Sequence, residues 1–118
     1  MSSIDLPHHH CEWNPELNKV ADIDSFQKAA DIFRLLGDGS RLRIFWLLCH
    51  CEECVINISA LVNMSSPAVS HHLRQLKISG LITSRRDGKE IYYKAADTEE
   101  SKILHHAIEK ILEITCPR

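Results

Sequence analysis

Apolar residues recur at helical spacing from about residue 24 onward, and this periodicity predicts three successive helices in the first half of the chain. Gly37 is placed to end the first helix, and Asp38 or Ser40 can cap the second. Asn57 can cap a short third helix, whose apolar residues point inward. The apolar positions of the three helices are Phe26, Ala29, Ala30, Phe33 and Leu36, then Leu42, Ile44, Phe45, Leu47 and Leu48, and then Ile58, Leu61 and Val62.

A fourth helix is predicted from about residue 66 to 79, directly after a turn at Asn63-Met64-Ser65. Pro67 is tolerated in its first turn, and Gly80 ends it. Because the turn is so short, the two helices that it joins must cross steeply, as in a helix-turn-helix. The outward residues of the fourth helix are Ser66, Ser70, His71 and Arg74, and its buried residues are Ala68, Val69, Leu73 and Leu76.

Two strands, at about residues 81–84 and 91–94, follow this helix and are joined by an Asp87-Gly88 turn, which is a strong hairpin signal. A last helix from about residue 98 to 114 carries an apolar stripe too broad for a small core to cover, so we expect it to pair with a second copy. The residues expected at that interface are Leu104, Ile108 and Ile111. The predicted fold is mainly α with a small β-hairpin: a winged helix-turn-helix that forms a homodimer.

Basic residues concentrate in one stretch of an otherwise acidic chain. The formal net charge is −2, yet residues 65–94 carry six basic and two acidic side chains, and the remaining eight basic and fourteen acidic residues leave the rest at −6. A basic face on an acidic body can target phosphate without adhering to every polyanion. The basic residues of the stretch are Arg74, Lys77, Arg85, Arg86, Lys89 and Lys94.

The fourth helix and the hairpin carry the residue types that hold a DNA duplex. Small hydroxyl residues at a helix N-terminus let the backbone approach phosphate, where the helix dipole also attracts anions. His71 and Arg74 are long enough to reach base edges or phosphates in the major groove. Arg85, Arg86 and Lys89 would contact the adjacent backbone or the minor groove. A surface helix with incidental polar residues is disfavoured, because helix, hairpin and charge occur together.

Three segments carry a family motif: Leu35–Ile44, Pro67–Leu76 with Gly80-Leu81 after it, and Arg85–Tyr93. They closely resemble the ArsR/SmtB winged-helix repressors, and the resemblance covers roughly residues 25 to 95. It implies a homodimeric repressor that binds an inverted repeat in double-stranded operator DNA and is released when an effector binds. The residues that match the family's DNA-binding positions are Ser65, Ser66, Ser70, His71 and Arg74 in the helix, and Arg86 and Lys89 in the wing.

Length and composition agree with such a protein. The 118 residues, 44% of them hydrophobic, suit one compact domain whose modest core a dimer would extend. No apolar run approaches the roughly 18 residues of a membrane span, and no charged-then-apolar leader is present, so we expect a cytoplasmic protein with no membrane partner. We divide the chain into an N-terminal arm (1–23, with a possible short helix at Asn14-Pro15), a winged-helix DNA-binding domain (24–96) and a C-terminal dimerisation helix (97–118).

The cysteines suggest what the protein senses. They are Cys11, Cys49, Cys51, Cys54 and Cys116. An odd number without a secretion signal favours reduced thiols that can bind metal over a disulfide framework. The segment Glu53–Ile58 resembles that of the family's cadmium/lead/zinc sensors, although Ile56 replaces the second cysteine of their pair. The resemblance implies a soft divalent metal as effector (zinc, cadmium or lead), since thiolate and imidazole suit these ions. The expected ligands are Cys54 and Cys11, helped by Cys51 or His10.

Other sensing chemistries stay open. The triplet Cys49-x-Cys51-x-x-Cys54 has the spacing of a three-thiolate arsenic(III) site, although that site in relatives begins at the position where this triplet ends. The same thiols could sense oxidation or reactive sulfur. A further family site lies across the last helices, but here Lys110 replaces its key histidine. His105 and His106, about one turn earlier, could form an altered site, although solvated helix histidines are the commoner case.

A thiol-disulfide enzyme built on Cys51-Glu52-Glu53-Cys54 is a distant alternative. The two acidic residues between the cysteines should raise the pKa of both thiols, and no βαβ pattern surrounds the motif. We therefore predict a regulator rather than an enzyme, with a metal ion as its effector and no catalytic cofactor.

Overall fold

The computed structural model describes residues 6–8, 12 and 14–116. Its described residues form two compact units, one that ends at Phe33 and one that begins at Arg34. No helix in this part of the chain is long and apolar enough to cross a membrane. The functional division into arm, DNA-binding domain and dimerisation helix stays a prediction.

The first unit contains a 3-10 helix, Pro15–Ala21, and the greater part of helix α1, Ile23–Leu36. Asn14 caps the 3-10 helix as predicted, because its side-chain oxygen accepts a backbone hydrogen bond of 2.9 Å from the first turn. The carboxylate of Asp22 accepts two hydrogen bonds from the first turn of α1. No residue of α1 is fully buried, so its apolar spacing does not by itself make a core.

The second unit opens with helices α2 (Gly39–His50) and α3 (Val55–Val62), with a two-residue strand β1 (Glu53–Cys54) between them. Asp38 caps α2, as one of the two predicted candidates, by accepting a backbone hydrogen bond of 3.0 Å. The predicted cap of α3 by Asn57 was wrong. Since α3 begins directly after β1, Asn57 lies inside the helix, where its amide donates a hydrogen bond to the carboxylate of Glu53.

A short turn joins α3 to α4 (Ser66–Ile78), and local signals define both of its ends. Asn63 takes the left-handed conformation (φ +56°) and stops α3. Ser65 then caps α4, because its hydroxyl accepts a hydrogen bond of 3.3 Å from the backbone of the first turn. Gly80 has φ +83°, a conformation that favours glycine, and ends the helical segment. The predicted helix-turn-helix is confirmed.

The wing is an antiparallel hairpin of β2 (Ile82–Asp87) and β3 (Glu90–Ala95), with Gly88 in the tight turn at φ +65°. Strand β1 pairs with the other edge of β3, which gives a three-stranded sheet in the order β1-β3-β2. Two residues are too few to show a periodicity, so β1 was not predicted. It exists because Glu53 meets Tyr93 in antiparallel register.

Helix α5 (Glu99–Thr115) packs against α2 and completes the core of the second unit. The buried cluster consists of Ile44, Phe45, Leu48, Ile58, Val62, Val69, Leu73, Leu76, Leu81, Ile82 and Ile108. Leu61, which was predicted to point inward, is 59% exposed, because α3 turns Ile58 and Val62 toward the core instead. Ile108 is only 9% exposed and belongs to the core of its own protomer.

Candidate nucleic-acid interface and metal centre

The residues expected to bind DNA lie on the outer face and at the N-terminus of α4. Ser65, Ser66, His71 and Arg74 are exposed, and Ser70 is half-buried. Beneath them Val69, Leu73 and Leu76 are at most 1% exposed. The Ser66 hydroxyl lies 3.2 Å from that of Ser59 in α3, which ties the two helices together at their crossing. Helix α4 is therefore packed against the core on one face, and its polar face is open to a ligand.

The three basic residues of the wing that were expected to contact DNA have different surroundings. Arg86 and Lys89 are exposed, and no acidic residue in the described part of the chain forms a salt bridge with them or with Arg74. Arg85, in contrast, donates two hydrogen bonds of 2.6 and 3.0 Å to Glu52, and its guanidinium lies over the ring of Tyr92. Arg85 therefore holds the wing against the loop before β1, and Arg86 and Lys89 are left to face outward.

A buried histidine anchors α4 to α2. The Nε of Arg41 donates a hydrogen bond of 3.2 Å to Nδ1 of His72, which is 9% exposed. An arginine nitrogen cannot accept a hydrogen bond, so Nδ1 must be unprotonated and the ring neutral. Burial lowers the pKa of His72, and the nearby charge of Arg41 lowers it further, against an opposing effect of Asp38.

Because His72 is buried in its neutral form, we expect the protein to lose stability in mild acid. Its folded-state pKa lies below the ordinary 6.5, so the unfolded chain takes up the proton first. The free energy of unfolding should then fall as the pH drops below about 6.5. His72→Gln should flatten this slope between pH 7 and pH 5 in urea titrations. His71→Gln, at the exposed neighbouring histidine, should retain the wild-type slope; equal slopes in all three proteins would contradict the assignment.

The thiols of Cys49, Cys51 and Cys54 are half-buried or buried. Cys54 is 8% exposed, Cys51 is half-buried and its Sγ lies 3.5 Å from the carbonyl oxygen of Leu47. Burial and the charge of Glu53 raise the pKa of Cys51, and burial raises that of Cys49 to about 11, with Glu109 contributing. The other two expected ligands, His10 and Cys11, lie outside the described residues. The thiol site therefore stays a prediction.

Elsewhere the described residues contain one cluster of potential metal ligands, formed by His50 at the end of α2 with His105 and Glu109 on α5. Nε2 of His50 and Nε2 of His105 lie 2.9 and 3.1 Å from Oε1 of Glu109, and 3.2 Å from each other. The contacts with His50 and His105 lower the pKa of Glu109. The sequence pattern pointed to His105 but joined it to His106, which is exposed. The i,i+4 spacing of His105 and Glu109 could have indicated that these two side chains lie together. No sequence pattern indicates His50, which joins them only because α2 packs against α5.

Comparison with known proteins identifies the family. Residues 38–84 match the model described as "Bacterial regulatory protein, arsR family". Over 114 residues the chain is 33% identical to the transcriptional repressor SmtB homolog of Synechocystis sp., across 96% of this chain and 86% of that relative. The chain belongs to the ArsR family. A second relative, the cadmium resistance transcriptional regulatory protein CadC of Listeria innocua, is 36% identical over 86 residues, which cover 72% of this chain and 71% of CadC.

Solved structures show the same ArsR-family fold. The homodimeric winged helix-turn-helix DNA-binding domain of Mb0332 from Mycobacterium bovis, a possible ArsR-family regulator, superposes with a TM-score of 0.69 at 28% identity. The match covers 80% of this chain and 86% of that domain. The resemblance seen in the sequence motifs and the predicted winged helix are thus confirmed, and the chain is a transcriptional regulator of the ArsR family.

Proposed function

We propose that the chain is a dimeric repressor that binds double-stranded operator DNA through α4 and the wing and is released by a soft divalent metal ion. The observation that carries the DNA-binding part is a set of exposed cations that form no ion pair with the residues that the structure describes. Arg74, Arg86 and Lys89 are exposed on two elements of the compact unit that begins at Arg34, while Arg85 is neutralised by Glu52. Phosphate contacts by such residues supply much of the affinity of DNA-binding proteins.

Dimer formation is supported by the apolar side chains that α5 leaves exposed. Ile103, Ile111, Leu112 and Ile114 are 63, 57, 41 and 78% exposed. A monomer would carry this surface in water, which is unfavourable for a patch of this kind. The M. bovis domain is described as homodimeric, and a two-fold pairing of α5 would bury the patch and place two copies of α4 for the two halves of an inverted repeat. Of the three interface residues predicted from the sequence, Ile111 is the one most accessible to a partner.

The position of Cys54 supports a thiol-bound effector. Cys54 is the N-cap residue of α3, and its side chain makes no capping hydrogen bond there. A metal ion at this sulfur would act on the first helix of the helix-turn-helix, so ligation can favour a conformation that binds DNA less well. CadC is described as a cadmium resistance regulator, which agrees with a soft metal, and Cys51, Cys11 and His10 are the further ligands we propose.

Cys54→Ser is expected to abolish metal-induced release while operator affinity without metal stays unchanged. A coupling of about 1–3 kcal/mol would make cadmium weaken operator binding by roughly 5- to 150-fold in the wild-type protein. The measurement is fluorescence polarisation of labelled operator during a cadmium titration under reducing conditions, repeated with zinc, lead and arsenite. Cys116→Ser removes an exposed cysteine beyond α5 and should respond like wild type. Release of Cys54→Ser at the wild-type cadmium concentration would place the sensor elsewhere.

A further inference from the structure

We propose that His50, His105 and Glu109 form a metal-binding site for a borderline divalent transition ion, with Zn²⁺ as the best fit, within a single protomer. The inference goes beyond the proposed function, because none of the three residues belongs to the thiol site or to the DNA-binding surface. All three lie in the unit that begins at Arg34. The site joins the C-terminal end of α2 to the middle of α5.

The separations of the three ligand atoms fit a shared ion. They are 2.9, 3.1 and 3.2 Å. Ligand atoms at the usual zinc distance of roughly 2.0–2.2 Å and at tetrahedral angles are about 3.3–3.5 Å apart, so only a small expansion is needed. Two imidazoles and one carboxylate are a ligand set that zinc accepts, and three protein ligands leave the fourth position to water.

Hydrogen bonding alone does not satisfy this arrangement. Each Nε2 carries at most one proton when its ring is neutral, and both rings direct Nε2 toward the same Glu109 oxygen and toward each other. If both Nε2 atoms are protonated and donate to Glu109, two N–H groups face one another at 3.2 Å. If one Nε2 is unprotonated, its lone pair faces the Glu109 carboxylate oxygen with no proton between them. A cation between the three atoms removes the conflict, because all three then act as electron-pair donors.

The surroundings hold the ligands in place yet leave them accessible. The indole Nε1 of Trp46 donates a hydrogen bond of 3.2 Å to the same Glu109 oxygen, and the rings of Trp46 and His50 lie 4.4 Å apart. Such outer contacts orient metal ligands and raise affinity. The side chains of His50, Glu109 and His105 are 44, 38 and 31% exposed, so an ion and a water ligand can reach the site.

Zinc bound to ligands from both α2 and α5 should hold these helices together and stabilise the fold. An ion that binds the folded chain alone raises its unfolding temperature by mass action. When the free zinc concentration is about tenfold above the dissociation constant, the midpoint temperature of thermal unfolding should rise by about 5 °C. This shift needs no DNA and no thiol, so it can be measured whether or not the chain proves to be a metal-released repressor.

The test is isothermal titration calorimetry of the full-length protein with zinc chloride under reducing conditions, which measures the stoichiometry and affinity of zinc binding. Glu109→Gln and His105→Asn should each lose one zinc equivalent per protomer, or bind it roughly 100-fold or more weakly, since outer-shell changes alone typically cost 10–100-fold. His106→Asn, at the exposed neighbour on the same helix, should match wild type. Cys54→Ser should retain this equivalent even if it loses release from DNA, which separates failure of this site from failure of the thiol site. Wild-type stoichiometry and affinity in both ligand variants would overturn the proposal.

A second measurement covers the case in which the variants fold poorly. Long-range ¹H–¹⁵N spectra of the wild-type protein report the protonation and ligation of each imidazole nitrogen. As zinc is added to the wild-type protein until it is saturated, the Nε2 resonances of His50 and His105 should shift together while those of His106 stay in place. Unchanged resonances of His50 and His105 at saturating zinc would contradict the site independently of any ligand substitution.

Discussion

Arg74→Ala and Arg86→Ala are each expected to weaken operator binding by roughly 5- to 150-fold for each half-site, which corresponds to about 1–3 kcal/mol for the removal of one base or phosphate interaction. Arg74 extends from α4 and Arg86 from the wing, and neither has an ion pair within the described residues that would restrain it. Each substitution in a dimer removes two such interactions, one from each half-site. Each substitution should therefore lower DNA affinity strongly and change the free energy of unfolding little, because both side chains are exposed.

Salt dependence distinguishes phosphate binding from base recognition. Removing one arginine–phosphate interaction from each half-site should reduce the slope of log K against log salt by about 0.9 per half-site, whereas removing an arginine–base interaction should leave the slope unchanged and relax sequence preference. Polarisation titrations between about 50 and 200 mM salt on operator and scrambled duplexes give both quantities. Lys102→Ala removes a charge from the exposed face of α5 and serves as the control. Wild-type affinity in both arginine variants would exclude the proposed docking through α4 and the wing.

Ile111→Glu is expected to convert the protein to monomers and to abolish cooperative operator binding. Ile111 is 57% exposed on α5, within the apolar surface that we propose a second copy covers. Burying an unpaired carboxylate in such an interface costs several kcal/mol, roughly a factor of 100 or more in dimer affinity. Sedimentation velocity at micromolar concentration measures the assembly state, and polarisation on the full inverted repeat measures the loss of cooperativity.

The substituted position must lie outside the core of the protomer, so that loss of the dimer is not confused with unfolding. Ile108 was a predicted interface residue, but it is 9% exposed in the core of its own protomer, so Ile108→Glu would unfold the chain as well. His106→Glu adds the same charge at an exposed position of the same helix and should remain dimeric. A dimer of normal affinity from Ile111→Glu, with His106→Glu also dimeric, would place the interface away from this part of α5.

The helix-turn-helix and wing could be predicted from the sequence because their signals are local. A hydroxyl cap at Ser65, a glycine at position 80 and the Asp87-Gly88 turn each act within a few residues, so the neighbouring chain alone sets their conformation. The same reasoning failed at Asn57, where strand β1 advanced the start of α3. Pairing across some 40 residues of chain decides that strand, and no local pattern reports it.

The sequence by itself thus indicated the family through the resemblance of its motifs. It also determined the order of helices and hairpin and the outward residues of α4, which depend on short-range periodicity and capping. Only the tertiary structure decided which charged groups are already engaged. Arg85 and Glu52 are 33 positions apart, and their contact engages Arg85 while Arg86 and Lys89 remain exposed. His50 and His105 are 55 positions apart, and only the packing of α5 on α2 brings them to one carboxylate. Spacing along a chain cannot specify such contacts, because they depend on how separate helices and strands pack.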